Sequence, residues 1–88
     1  MFYTYILRSR ATGRYYTGST ANLQARLQQH NSNASASTKN LGPWDLAHHE
    51  EFATLAEAVR RERYFKTGRG RDELKKLVEF DQSRSSAG

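Results

Sequence analysis

Three strand-like segments and three helical ones share 88 residues, and that mixture predicts one small α/β domain of the α+β kind. The opening alternates rings with other residues, the middle changes to a helical period, and the second half carries a helix-capping signature. A chain this short buries only about 60–65% of its unfolded surface, so one core is all it can build.

Residues 2–8 are rich in rings and β-branched side chains and read as a strand. Tyr3, Tyr5 and Leu7 fall on one face, and Phe2, Thr4 and Ile6 on the other. Ser9 to Gly13 supply turn chemistry, and Arg14 to Ser19 return as the second arm of a hairpin. From about Thr20 to Asn31 the period changes, with Leu23 and Leu27 one turn apart among Ala and Gln. Thr20 and Asn22 are equal candidates for the N-cap, and Asn31 suits the C-terminal end.

Asn31 to Pro43 is rich in Asn, Ser and Ala, with Lys39 its only charge, and reads as a mobile loop. Trp44 to Phe52 is a third strand, interrupted by the polar run His48-His49-Glu50-Glu51. Thr54-Leu55-Ala56-Glu57 has capping-box spacing and opens a helix to about Lys66. Thr67 to Gly70 breaks it, and a last helix from about Asp72 to Phe80 carries Leu74, Leu77 and Val78. The domain is thus expected to be residues 1–80, with 81–88 a disordered tail or an appended remnant.

Composition narrows the chemistry. There are no cysteines, so disulfides and thiolate metal sites are excluded and any metal must use oxygen or imidazole ligands. No run approaches the roughly 20 apolar residues of a membrane span, and no secretory signal is visible. Fourteen Lys and Arg against nine Asp and Glu give +5, which favours nucleic acid over an anionic membrane as partner. A cysteine-free domain fits the cytoplasm.

Five residues form the candidate constellation: Tyr5, Tyr16, Arg26, His30 and Glu62. A guanidinium can hold phosphate oxygens, a carboxylate a hard divalent cation, and a phenol or imidazole the proton of an attacking water. Glu62 falls on the apolar face of its helix, between Leu55 and Val59 on one side and Ala58 and Phe65 on the other. A carboxylate there needs a cation, and Lys66 four residues on competes with a metal for that role. Arg26 and His30 share a face beside Leu23 and Leu27. His30 could equally be a helix-end imidazole on the C-terminal dipole, and the tyrosines could be strand packing or base-stacking rings.

Lys66-Thr67-Gly68-Arg69-Gly70-Arg71 reads as either a phosphate-binding turn or a plain helix–helix turn. It lacks the Gly-Lys-Ser/Thr ending of a nucleotide-binding loop. Lys39, Lys66, Arg69 and Arg71 are the candidate nucleic-acid-binding cations. His48 and His49 are adjacent on a strand and point to opposite faces, which argues against a shared metal.

Taken together, these residues resemble the GIY-YIG endonuclease superfamily, specifically its small single-domain bacterial members. Tyr3-Thr4-Tyr5 looks like the first motif, with Tyr3 in place of its glycine, and Tyr16-Thr17-Gly18 like the second. Arg26, ten residues after Tyr16, and His30 one turn later match the family's helical pair. Glu57 to Arg63 is similar to the segment bearing the family's metal-binding glutamate, which points to Glu62. Ser19 stands where some relatives carry a basic residue, and the late asparagine of the excision-repair nucleases has no counterpart.

The resemblance implies an α/β (α+β) domain with a small, mainly antiparallel three-stranded sheet flanked by helices. It implies hydrolysis of a DNA phosphodiester with Mg²⁺ or Mn²⁺ held chiefly by Glu62. Arg26 would neutralise transition-state charge, Tyr16 would be the general base, Tyr5 would orient it, and His30 would be a proton relay or alternative base. The expected protein is a monomer acting on nucleic acid, DNA ahead of RNA, and on no membrane. The alternative is a non-catalytic nucleic-acid-binding module using the same basic, aromatic surface; a third reading is an interaction domain whose charge is incidental.

Overall fold

A computed structural model describes residues 1–32 and 42–87, with side chains to residue 79. The elements run β1 (Phe2–Ser9), β2 (Tyr15–Thr20), α1 (Leu23–Asn31), β3 (Trp44–Phe52), α2 (Leu55–Phe65) and α3 (Gly68–Ala87). The strands form one antiparallel sheet in the order β2-β1-β3, so the first motif lies on the central strand and the second on an edge.

The alternation in β1 divides the core. Ile6 packs with Phe65, Leu74 and Val78 under α2 and α3. Tyr5, Leu7 and Trp44 form the opposite cluster, against Leu23 and Leu27 of α1. A bulge between the partners of Ile6 and Leu7 sets two β3 residues against one β1 step. It turns Ala47 towards the α2–α3 side while Leu46 joins Leu7 on the other. That break in alternation explains the weak strand pattern of this segment.

Local chemistry sets the ends. Ser9 Oγ accepts from the backbone N–H groups of Ala11 and Thr12, and Gly13 closes the hairpin turn at a φ of 75°, a left-handed value suited to glycine. Asn22, not Thr20, caps α1 by accepting from the Ala25 N–H, while Thr20 Oγ1 accepts from the Asn22 N–H. Thr54 caps α2 through the Glu57 N–H, at the expected capping-box spacing.

The break between α2 and α3 is shorter than expected. Thr67 Oγ1 accepts from the Gly70 N–H, so α3 starts at Gly68 rather than about Asp72. The backbone also stays helical through Ala87, where a tail was expected from Asp81; residues 81–87 contain neither Pro nor Gly to stop it.

An ion-pair cluster ties α2 to both neighbours. Arg61 Nε and Nη2 meet the two oxygens of Glu50 on β3 at 2.7 and 3.1 Å. Its Nη2 also lies 2.7 Å from Glu73 on α3, and the guanidinium rests over the Phe65 ring at 4.3 Å. His48 adds a contact of 3.0 Å to Glu50, and Thr4 Oγ1 donates to the Ala58 carbonyl.

Candidate active site

Tyr5 organises the site. Its ring is buried on the α1 face of the sheet, directly opposite Gly18 of β2. A Cβ at position 18 would stand 2.6 Å from Tyr5 Cζ and 3.1 Å from Cε1, with the hydroxyl closer still. Glycine is what lets the phenol lie across β2 towards the open edge of the sheet.

The Tyr5 hydroxyl meets His30 Nε2 at 3.0 Å. His30 is fully buried near the end of α1, so it is a core imidazole as well as a helix-end one. Burial first, and the Arg26 guanidinium second, hold its pKa below the usual 6.5. Burial also pushes the Tyr5 phenol well up; Tyr16 and Glu62 add to the rise and Arg26 opposes it. Both partners are therefore neutral near pH 7, and one hydrogen closes the bond between them.

Tyr16 covers this pair. Its ring centroid is 4.8 Å from that of His30 and 6.4 Å from that of Tyr5, with Trp44 meeting it edge-on at 6.3 Å. Only half-buried, it is the member of the aromatic group that faces solvent. Arg26 is exposed on α1 and makes no ion pair among the described residues.

Glu62 reaches the same edge from the other face of the sheet. Ser19 Oγ donates to its Oε1 at 2.7 Å, and Lys66 Nζ pairs with Oε2 at 2.8 Å. The lysine pair weighed from the sequence is thus present, and it holds a cation on the carboxylate's outer oxygen. Among the described residues no three His, Asp or Glu side chains cluster as a metal cage. A hard ion such as Mg²⁺, which keeps several waters and takes phosphate oxygens from its substrate, would need only the Glu62 carboxylate here, and it would have to take the oxygen that Lys66 holds.

A profile of the GIY-YIG catalytic domain matches residues 1–76. This chain belongs to the GIY-YIG family. Among its relatives, a UPF0213 protein of Bacillus pumilus (strain SAFR-032) is 46% identical over 66 residues, covering 74% of this chain and 66% of that one. A UPF0213 protein of Staphylococcus haemolyticus is 37% identical over 78 residues, covering 88% and 94%. The solution NMR structure of a UPF0213 protein from Bacillus halodurans matches with a TM-score of 0.53 at 32% identity, over 88% of this chain and 85% of that one. The antiparallel three-stranded sheet with three helices is shared with it.

In this GIY-YIG domain the two motifs are cross-strand neighbours, with Tyr5 of the first opposite Gly18 of the second. Ser19 makes a contact the sequence did not suggest: it holds the glutamate of a helix 43 residues on. Asn31 ends α1, and its side chain also clamps the Trp44 backbone, accepting from N–H at 2.6 Å and donating to C=O at 3.0 Å. Neither contact leaves a local pattern.

The other candidates are more dispersed. In the Lys66–Arg71 turn the amides of Thr67, Gly70 and Arg71 are engaged by Tyr64 O, Thr67 Oγ1 and Thr67 O, as a helix–helix turn requires. Gly70 packs against the backbone of Tyr64 and Phe65, where a Cβ would lie 2.8 Å from Phe65 Cα. Lys66 and Arg71 line a cleft beside Tyr16, whereas Arg69 is exposed and is not among its lining residues. Lys39 lies outside the described residues. His48 faces Glu50 while His49 meets the Tyr3 ring at 6.2 Å, so the two histidines part as expected.

Proposed function

We propose that this GIY-YIG domain is a divalent-metal-dependent endonuclease hydrolysing DNA phosphodiester bonds. One observation carries the reading: the buried Tyr5 phenol is hydrogen-bonded to His30 at 3.0 Å, and the half-buried Tyr16 ring lies 4.8 Å from that imidazole. Tyr5, Tyr16 and His30 come from β1, β2 and α1 to form one aromatic group, and Glu62 of α2 reaches the β2 edge through Ser19.

Glu62 would hold Mg²⁺ or Mn²⁺, with Ser19 orienting the carboxylate, and such an ion when bound supplies positive charge to the leaving oxygen. Arg26, exposed and unpaired among the described residues, grips the non-bridging phosphate oxygens and offsets their growing charge. Tyr16, acting as the phenolate, would take the proton of the attacking water on Oη as the new P–O bond forms and the bond to the leaving oxygen breaks. Tyr5 and His30 pack behind it as a neutral, hydrogen-bonded pair that fixes the ring. Tyr5 itself is a poor base, since burial keeps its phenol protonated.

The Lys66–Glu62 pair favours a second reading, a nucleic-acid-binding module whose carboxylate is already neutralised. Cleavage assays with Mg²⁺ or Mn²⁺ over single-stranded, duplex and branched DNA and over RNA separate the two. In the nuclease, Glu62→Gln loses more than the roughly 10–100-fold that even an outer-sphere partner of a metal costs. Tyr16→Phe collapses turnover with its melting temperature kept. Binding that weakens with salt, without cleavage by the parent chain, selects the second reading; a fully active Tyr16→Phe chain refutes the base assignment.

A further inference from the structure

An open cleft of about 760 Å³ runs from Tyr16 and Thr17 past the end of α2 to the first two turns of α3. Tyr15, Phe65 and Leu74 supply apolar lining, and Tyr16 and Thr17 of β2 border it. Arg14 from the hairpin turn, Lys66 from the end of α2, and Arg71 and Lys75 from α3 supply four cations, and no Asp or Glu lines it. Arg14, Arg71 and Lys75 make no ion pair among the described residues. A cleft lined by cations alone concentrates positive potential there.

We infer that this cleft is a track for the phosphodiester backbone of a nucleic acid, continuing outward from the site around Tyr16. The geometry favours a polymer over a small anion. The cations come from the hairpin turn, the end of α2 and α3, the open cleft of about 760 Å³ is far larger than one small anion, and Tyr16 lines it as well as belonging to the candidate site. Arg71 and Lys75 stand one helical turn apart on α3, so both can reach the same side of the cleft. Lys66 joins track to site, because it lines the cleft and its ammonium pairs with Glu62. The assignment rests on the nucleic-acid reading proposed above, but it needs no catalysis.

The test is equilibrium binding of fluorescein-labelled 20-mers (single-stranded DNA, duplex DNA and RNA) to the full chain in EDTA across a salt series. Two double variants remove the same charge: Arg71→Ala with Lys75→Ala in the cleft, and Arg63→Ala with Lys76→Ala outside it. All four positions are exposed, so both variants should melt with the parent. The cleft variant should bind at least one of the three nucleic acids tenfold or more weakly. Its slope of log K against log salt should fall by about 1.4–1.8, two phosphate contacts at roughly 0.7–0.9 each.

The control variant should stay within about threefold, the scale of a screened long-range effect. Equal losses in both variants, or no loss in the cleft variant, would overturn the track. So would loss of binding to vesicles containing phosphatidylserine with oligonucleotide binding intact, because that assigns the cleft to a membrane surface. Cleft-dependent binding by a chain that cuts nothing in Mn²⁺ keeps the track and sinks the nuclease. Cutting undisturbed in the cleft variant sinks the track and keeps the nuclease.

Discussion

Replacing Gly18 by alanine should destabilise the domain, against the usual effect of that change in a strand. Alanine in a strand gains about 0.5–1 kcal/mol over glycine, because less backbone freedom is lost on folding. Here the new methyl would sit 2.6 Å from Tyr5 Cζ, against a ring that is 2% exposed and has no room to retreat. Forcing extra volume into a packed core costs about 1–3 kcal/mol, and a displaced Tyr5 also loses its hydrogen bond to His30, about 0.5–1.5 kcal/mol. The net is a loss of about 2 kcal/mol, which for a domain of this size lowers the melting temperature by roughly 8–16 °C. Circular-dichroism melts of the parent, Gly18→Ala, Tyr5→Phe and the double variant measure it. Tyr5→Phe removes the atom nearest the new methyl, so the double variant should lose less than the two single losses added together. A Gly18→Ala chain as stable as its parent would refute the account of how Tyr5 is seated.

Arg26→Lys keeps charge but not the planar fork, so cleavage should fall by 10-fold or more while binding in EDTA changes little; equal losses would make Arg26 only a backbone grip. His30 should make stability pH-dependent. Its folded pKa lies below the 6.5 of the unfolded chain, so the unfolded state takes up the proton first as pH drops. Melting temperature should then decline from pH 7.5 to pH 5.5, and less so in His30→Gln; parallel profiles would contradict a buried neutral imidazole. Arg61→Leu leaves Glu50 and Glu73 without their shared cation and should cost about 1–3 kcal/mol in urea unfolding, since both carboxylates keep some solvent.

Much of this domain was legible in its sequence because the relevant signals are local. The face assignment of β1, the span of β3 and the capping box at Thr54 depend on neighbours one to four residues away, and all three recur in the structure. The GIY-YIG motifs were legible by order and spacing. Contacts across the fold were not. Ser19 with Glu62, Asn31 with Trp44 and Arg61 with Glu50 pair residues whose types are ordinary at their own positions. The start of α3 was not legible, because two glycines and a threonine look like a loop. Their role there is a close backbone approach and a helix cap.

A helix resting on a sheet has one loose coordinate, rotation about its own axis. Interdigitated packing resists that roll, and directional polar contacts fix it further. In α2 the residue before Glu62 acts as a key in a slot, since Arg61 is fixed to β3 on one side and α3 on the other. At a side-chain reach of about 6 Å from the axis, a roll of roughly 10° would swing the Glu62 carboxylate by ~1 Å. Displacements of that size can cost an active site about 100-fold. The ion-pair cluster therefore sets the bearing of the carboxylate, from the side of the helix turned away from β2.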